Sequence, residues 1–142
     1  MTLRPFFLSD YDSVVDMYYE FVKEVFSNRK IGDRYFFSKA VMNWINTGKN
    51  IVVVEHNDEI VGFSMAFVDD NGGLTEPFYH GEVIYIKHNF RKSKAAYLLY
   101  NNGVEVAKDL GLISTANCRI QDGVDLKRHF NAQEIFINLE RR

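Results

Sequence analysis

The chain has 142 residues, 46% of them hydrophobic and 25% charged, and a formal net charge of −2 at neutral pH. That length suits one domain spanning residues 1–142, which buries about 68–70% of the surface its unfolded chain exposes and needs no staple of disulfide or metal. The charge offers no global basic field for nucleic acid, and the lone Cys118 excludes an intramolecular disulfide and a cysteine-built zinc cage.

Residues 3–7 read as a first strand. Ser9, Asp10, Tyr11 and Asp12 follow with the spacing of a capping box, Asp taking the acid place, and a helix is expected after them. Its apolar face is Val14, Tyr18, Phe21, Val22 and Val25, at the 3.6-residue period. A second helix starts after Asp33, carries Phe37, Ala40, Val41, Trp44 and Ile45 on one face, and stops at Gly48. Phe36, Phe37 and Trp44 read as core or lid. No charged leader precedes a long apolar run and no stretch reaches 18 apolar residues, so the expected location is the cytoplasm.

Residues 51–56 and 60–68 are two β-rich runs joined by Asn57 and Asp58, hence an antiparallel hairpin. Residues 69–73 break the pattern, and a loop through Pro77, Phe78, Tyr79 and His80 leads to a strand at 83–87, begun by Glu82. Lys87, His88, Arg91, Lys92 and Lys94 then crowd the start of a long amphipathic helix whose face is Ala96, Leu99, Tyr100, Gly103, Val104, Ala107 and Leu110. A helix start leaves backbone N–H groups without intrahelical partners and carries a partial positive charge, so this junction is where the chain is built to hold an anion such as phosphate. Tyr97 and Tyr100 lie a turn apart on the same helix, one to pack and one to reach a ligand. Gly111 ends it, and residues 112–116 return as a strand, which makes a parallel, right-handed crossover. A short helix at 124–129 and a last strand at 132–139 complete the order β-α-α-β-β-β-α-β-α-β. The fold class is α+β in an α/β/α arrangement, with a mixed and mostly antiparallel central sheet.

That order, with the segment Arg91, Lys92, Ser93, Lys94, Ala95 and Ala96, resembles the GNAT superfamily of N-acetyltransferases over the whole chain. The family's turn has the pattern Arg/Gln-x-x-Gly-x-Gly/Ala, and its amides wrap the pyrophosphate of acetyl-CoA. Here Arg91 and Ala96 fit, while Lys94 stands where the family has Gly. Ala107 and Gly111 resemble the family's helix end, and Asn117 resembles the Asn that often follows its fifth strand. By this resemblance the pantetheine arm lies between the fourth and fifth strands and bonds to the backbone of Tyr85, Ile86 and Lys87. The acceptor enters past Phe26, Tyr35, Phe78 and Tyr79. The same resemblance implies acetyl-CoA as co-substrate and no metal, and the expected protein is a monomer or homodimer that binds neither nucleic acid nor membrane.

Acetyl transfer needs a neutral amine, so an ammonium must give up a proton. Glu82 is the chosen base, where several family members place a catalytic Glu, with a pKa raised by partial burial; Glu76 and His80 are runners-up. The family's proton-donating Tyr has no counterpart, since residues 118–142 contain no Tyr. His129 or Cys118 substitutes for it, or the thiol leaves as thiolate. The alternative reading, drawn from Lys94 and the absent Tyr, is a non-catalytic binding or assembly protein of this fold, similar to phage proteins with eroded motifs. The acceptor is left open among amino acid, polyamine, peptide N-terminus and antibiotic amine.

Overall fold

A computed structural model describes residues 1–70, 76–118 and 135–139, with the side chains of all of these but 118 and 135–139. Six strands form one sheet in sequence order: β1 (Thr2–Pro5), β2 (Asn50–His56), β3 (Glu59–Asp69), β4 (Phe78–Ile86), β5 (Ile113–Cys118) and β6 (Ile135–Leu139). The first four pair antiparallel, and β5 and β6 each run parallel to the strand before. The helices are α1 (Tyr11–Val25), α2 (Arg34–Asn46) and α3 (Ala95–Leu110).

Period-two alternation sorts the strand residues onto two faces. Ile51, Val53, Phe63, Met65, Val83 and Tyr85 pack against Val14, Val15 and Met17 of α1 and Phe37, Val41 and Trp44 of α2. Val52, Val54, Val61 and Ile86 pack on the other face against Ala95 and Leu99 of α3. The sheet is therefore covered on both sides, as the α/β/α expectation required. The hairpin between β2 and β3 turns on Asn57 and Asp58, whose φ values of 51° and 63° lie in the left-handed region these two residues tolerate.

Four expectations are corrected. Phe78, Tyr79 and His80 are strand rather than loop: they pair with β3 on one side and β5 on the other, so β4 begins five residues before Val83. Strand β1 ends at Pro5, and Ser9 does not cap α1. It lies in a 3₁₀ turn, and the Asp10 carboxylate accepts from the Phe7 N–H at 2.8 Å. On α3 Ala95 joins Ala107 as a fully buried alanine while Ala96 is half-buried against the same cluster, and Leu110 is 53% exposed, beside Gly111, which reverses the chain at φ 71°. The short helix at 124–129 lies outside the described residues.

Candidate active site

Strand β4 carries one residue too many for β3. Met65 faces Val83 and Ala66 faces Gly81, so Glu82 is the extra residue of a β-bulge. A bulge bends its strand and re-aims a side chain. Glu82 is thus mid-strand, not at a strand start, and its carboxylate lies on the α1/α2 face beside His80. The ring of His80 meets the edges of Phe67 and Phe78 there.

The same point is where the sheet opens. Pairing of β4 with β5 runs from Phe78 opposite Ile113 to Gly81 opposite Ala116 and goes no further. The Asn117 Nδ2 spans the opening, donating to the Glu82 carbonyl at 3.3 Å and to its Oε2 at 3.2 Å. Beyond it the β4 edge is uncovered by β5. The Lys87 N–H bonds the Val61 carbonyl at 2.9 Å. Ladder alternation from Gly62 opposite Ile86 then turns the backbone groups of Tyr85 toward β3, and those of Ile84 and Ile86 toward the open edge. Of Tyr85, Ile86 and Lys87, then, Ile86 alone presents its backbone to the gap. Ile84 also does so, and the sequence reading missed it because register is set by pairing.

His80 is buried and both ring nitrogens are engaged, Nδ1 with Thr115 Oγ1 at 2.6 Å and Nε2 with Glu82 Oε2 at 2.8 Å. The imidazole bond, aided by Asn117, holds the Glu82 carboxyl below the usual glutamate range, against burial and the nearby Asp69. This reverses the expected direction: hydrogen bonding to the ionised form outweighs desolvation. Burial together with the Glu82 charge pushes the Tyr18 hydroxyl up, which places α1 over the same site.

At the start of α3, Lys94 takes the N-cap position with φ −76° and ψ 3°. No left-handed geometry is required there, so lysine fits the backbone where the family has glycine. Ser93 Oγ donates to the Phe90 carbonyl and accepts from the Ala95 N–H at 3.2 Å. Lys92 and Lys94 are exposed. The other cations of the cluster are engaged within the protein. Arg91 Nε donates to the Ile86 carbonyl at 2.8 Å, its Nη2 reaches Glu24 at 2.8 Å, and its guanidinium covers the Tyr85 ring. His88 also meets Glu24 at 2.9 Å, and Lys87 meets Glu59 at 3.1 Å. Glu24 had no local signal in the sequence, since its partners are more than 60 positions away.

The proposed acceptor residues do not converge. Phe78 is buried on the His80 side, but Tyr79 points to the α3 face, where its hydroxyl accepts from Asn50 Nδ2 at 2.6 Å. Phe26 and Tyr35 are exposed, at the end of α1 and the first turn of α2. Tyr97 is exposed, and the half-buried Tyr100 lines a small pocket of about 30 Å³ between α3 and the sheet. Glu76 is exposed; His129 lies outside the described residues. Among the described residues no cluster of His, Cys, Asp and Glu is placed to hold a metal ion, and no helix is long and apolar enough to cross a membrane.

A sheet that opens between its fourth and fifth strands, beside the start of a crossover helix, is the framework of an N-acetyltransferase of the GNAT type. The model of the Acetyltransferase (GNAT) family matches residues 14–125, and the chain belongs to that family. Solved structures share its fold. One, described as a possible acetyltransferase from Clostridium difficile 630, is 14% identical with a TM-score of 0.71, over 99% of this chain and 93% of that one. An aminoglycoside antibiotic 6'-N-acetyltransferase from Acinetobacter haemolyticus is 14% identical with a TM-score of 0.70, over 100% of this chain and 94% of that one. A ribosomal-protein-alanine N-acetyltransferase from Brucella melitensis is 18% identical with a TM-score of 0.67, over 91% and 82%. The comparison with curated proteins gave no match.

Proposed function

We propose that the chain is an acetyl-CoA-dependent N-acetyltransferase that acylates a primary amine of a small molecule or peptide. The observation that carries this is the coincidence of three features: the end of β4–β5 pairing at Gly81 and Ala116, the carboxylate of Glu82 at that point, and the α3 start next along the chain. Acetyl-CoA supplies the acyl group as a thioester. The open edge of β4 offers the backbone groups of Ile84 and the N–H of Ile86, whose carbonyl is held by Arg91, to the donor's amide-bearing arm. The N–H groups opening α3, with exposed Lys92 and Lys94, suit its phosphates.

On the other side of the sheet Glu82, ionised at neutral pH, accepts the proton an acceptor ammonium must lose, directly or through water. A base held below the ordinary range gains little on transfer from an ammonium, so its contribution lies in position and charge at the site of the amine. The cytoplasm is the proposed location, in keeping with a single cysteine that calls for no intramolecular disulfide.

The test is thermal shift and calorimetry with acetyl-CoA, since a ligand at about 100 times its Kd stabilises by about 2.7 kcal/mol. Stabilisation by acetyl-CoA, lost in Ala96→Glu, is expected. The absence of any shift at millimolar acetyl-CoA overturns the reading. The second reading, a binding or assembly protein of this fold, draws on the pairing of Lys87, His88 and Arg91 with Glu59 and Glu24. A stable protein partner without a response to acetyl-CoA would favour it.

A further inference from the structure

With the His80 ring neutral, the polar groups around Glu82 form a chain that admits one hydrogen-bonding sense. An ionised carboxylate only accepts, so the imidazole Nε2 must donate to Glu82 Oε2. In a neutral ring Nδ1 is then the acceptor, and the Thr115 hydroxyl, 2.6 Å away, must donate to it. Asn117 Nδ2 donates to the same Oε2. Two donors therefore converge on one carboxylate oxygen, and no hydrogen bond from the described residues goes to Oε1.

We propose that His80 is a positioning residue of this site: backed by Thr115, it fixes Glu82 through Oε2 and leaves Oε1 as the oxygen that meets the acceptor amine. This rests on the reading of Glu82 as the proton acceptor. Packing alone would have been met by an apolar side chain among Phe67 and Phe78. A ring with both nitrogens engaged, buried between a hydroxyl on β5 and the bulged residue of β4, fixes a direction that packing does not need. Period-two alternation places residues 80 and 82 on one face, where they make the 2.8 Å contact, and parallel pairing brings Thr115 opposite His80. The groups acting on Glu82 are Asn117 from β5 and Asp69 from β3, with Tyr18 from α1 affected by its charge.

The test is carbon-13 NMR titration of the Glu82 carboxyl in the full chain, with nitrogen-15 NMR of the His80 ring, in wild type, His80→Phe, Thr115→Val and Thr115→Ser. In wild type the ring should be the Nε2–H tautomer and Glu82 should titrate below the ordinary glutamate range. His80→Phe keeps an aromatic ring between Phe67 and Phe78 and should move Glu82 up into that range. Thr115→Val removes the donor to Nδ1 while Glu82 still holds the Nε2–H, so it should loosen the ring and move the Glu82 titration part of the way up, and Thr115→Ser should restore the wild-type titration. In acetyl-CoA turnover with spermidine, kanamycin and an alanine-starting peptide as probe amines, His80→Phe should lower kcat on the order of tenfold with KM for acetyl-CoA unchanged. The proposal falls if Glu82 titrates alike in wild type and His80→Phe. If His80→Phe does not fold, a Glu82 titration in Thr115→Val identical to that of the wild type overturns it. A wild type that ignores acetyl-CoA sinks the acetyltransferase reading instead, and the NMR arm still decides whether His80 fixes Glu82.

Discussion

Asp10 is 5% exposed and takes two bonds from the Arg4 guanidinium, at 2.8 and 3.0 Å, while the same guanidinium holds Glu55 at 2.7 Å. The Arg4 bonds hold the Asp10 carboxyl below its ordinary value and hold the Arg4 guanidinium charged. A carboxyl depressed in the folded state contributes fully above its unfolded value of about 3.9, and the contribution drains away as pH falls through the lower folded value. Urea midpoints should therefore drop steeply below about pH 4 in the wild type and much less steeply in Asp10→Asn. That substitution leaves Arg4 partly buried with one partner fewer and should cost roughly 3 kcal/mol at neutral pH. At the site, Glu82→Gln should keep acetyl-CoA binding and lower kcat by about 100-fold or more, read as thioester cleavage with the same probe amines. Neither residue's pairing could be read from sequence: Asp10 looked like one position inside a capping box, and the Glu82 partners are spread over 35 positions.

Each helix has a start and a stop with its own chemistry. Asp33 caps α2, its carboxylate accepting from the Phe36 N–H at 3.1 Å, and Asp33→Ala should lower stability by about 1 kcal/mol. Gly111 and Gly48 both take φ 71°, with nothing close to where a Cβ would stand. Gly111→Ala should thus cost about 1–2 kcal/mol through the backbone alone, seen as a lower thermal midpoint with unchanged acetyl-CoA binding. These stops were legible because a left-handed residue after an amphipathic run is a local demand. The start of β4 was not, because aromatic residues after a breaker read equally as loop until β3 and β5 are placed beside them.

Across the whole molecule, Arg91 joins layers that the chain separates. It ties the end of β4, through the Ile86 carbonyl, to Glu24 on α1. Burial alone would raise the Glu24 carboxyl, but the Arg91 and His88 bonds outweigh it and hold it low. Arg91→Ala should destabilise the fold by about 2 kcal/mol, read by urea unfolding, since charged hydrogen bonds at a partly buried site contribute about 1.5–3 kcal/mol. The same guanidinium meets a carbonyl on the open edge of β4, so its removal also frees that carbonyl for a ligand.

The order of the described elements, the two helical faces, the Asn57-Asp58 hairpin and the crossover into β5 were determined by the sequence itself, because each depends on period, caps and turns within a few residues. So was the identity of the basic turn before α3. The tertiary structure alone decided what those groups do. It paired three of the five basic side chains with Glu24 and Glu59, and it put Glu82 on a bulge against His80 and Asn117. Bulge position, strand register and the sense of a hydrogen-bond chain depend on residues brought together from distant parts of the chain. No local pattern encodes them.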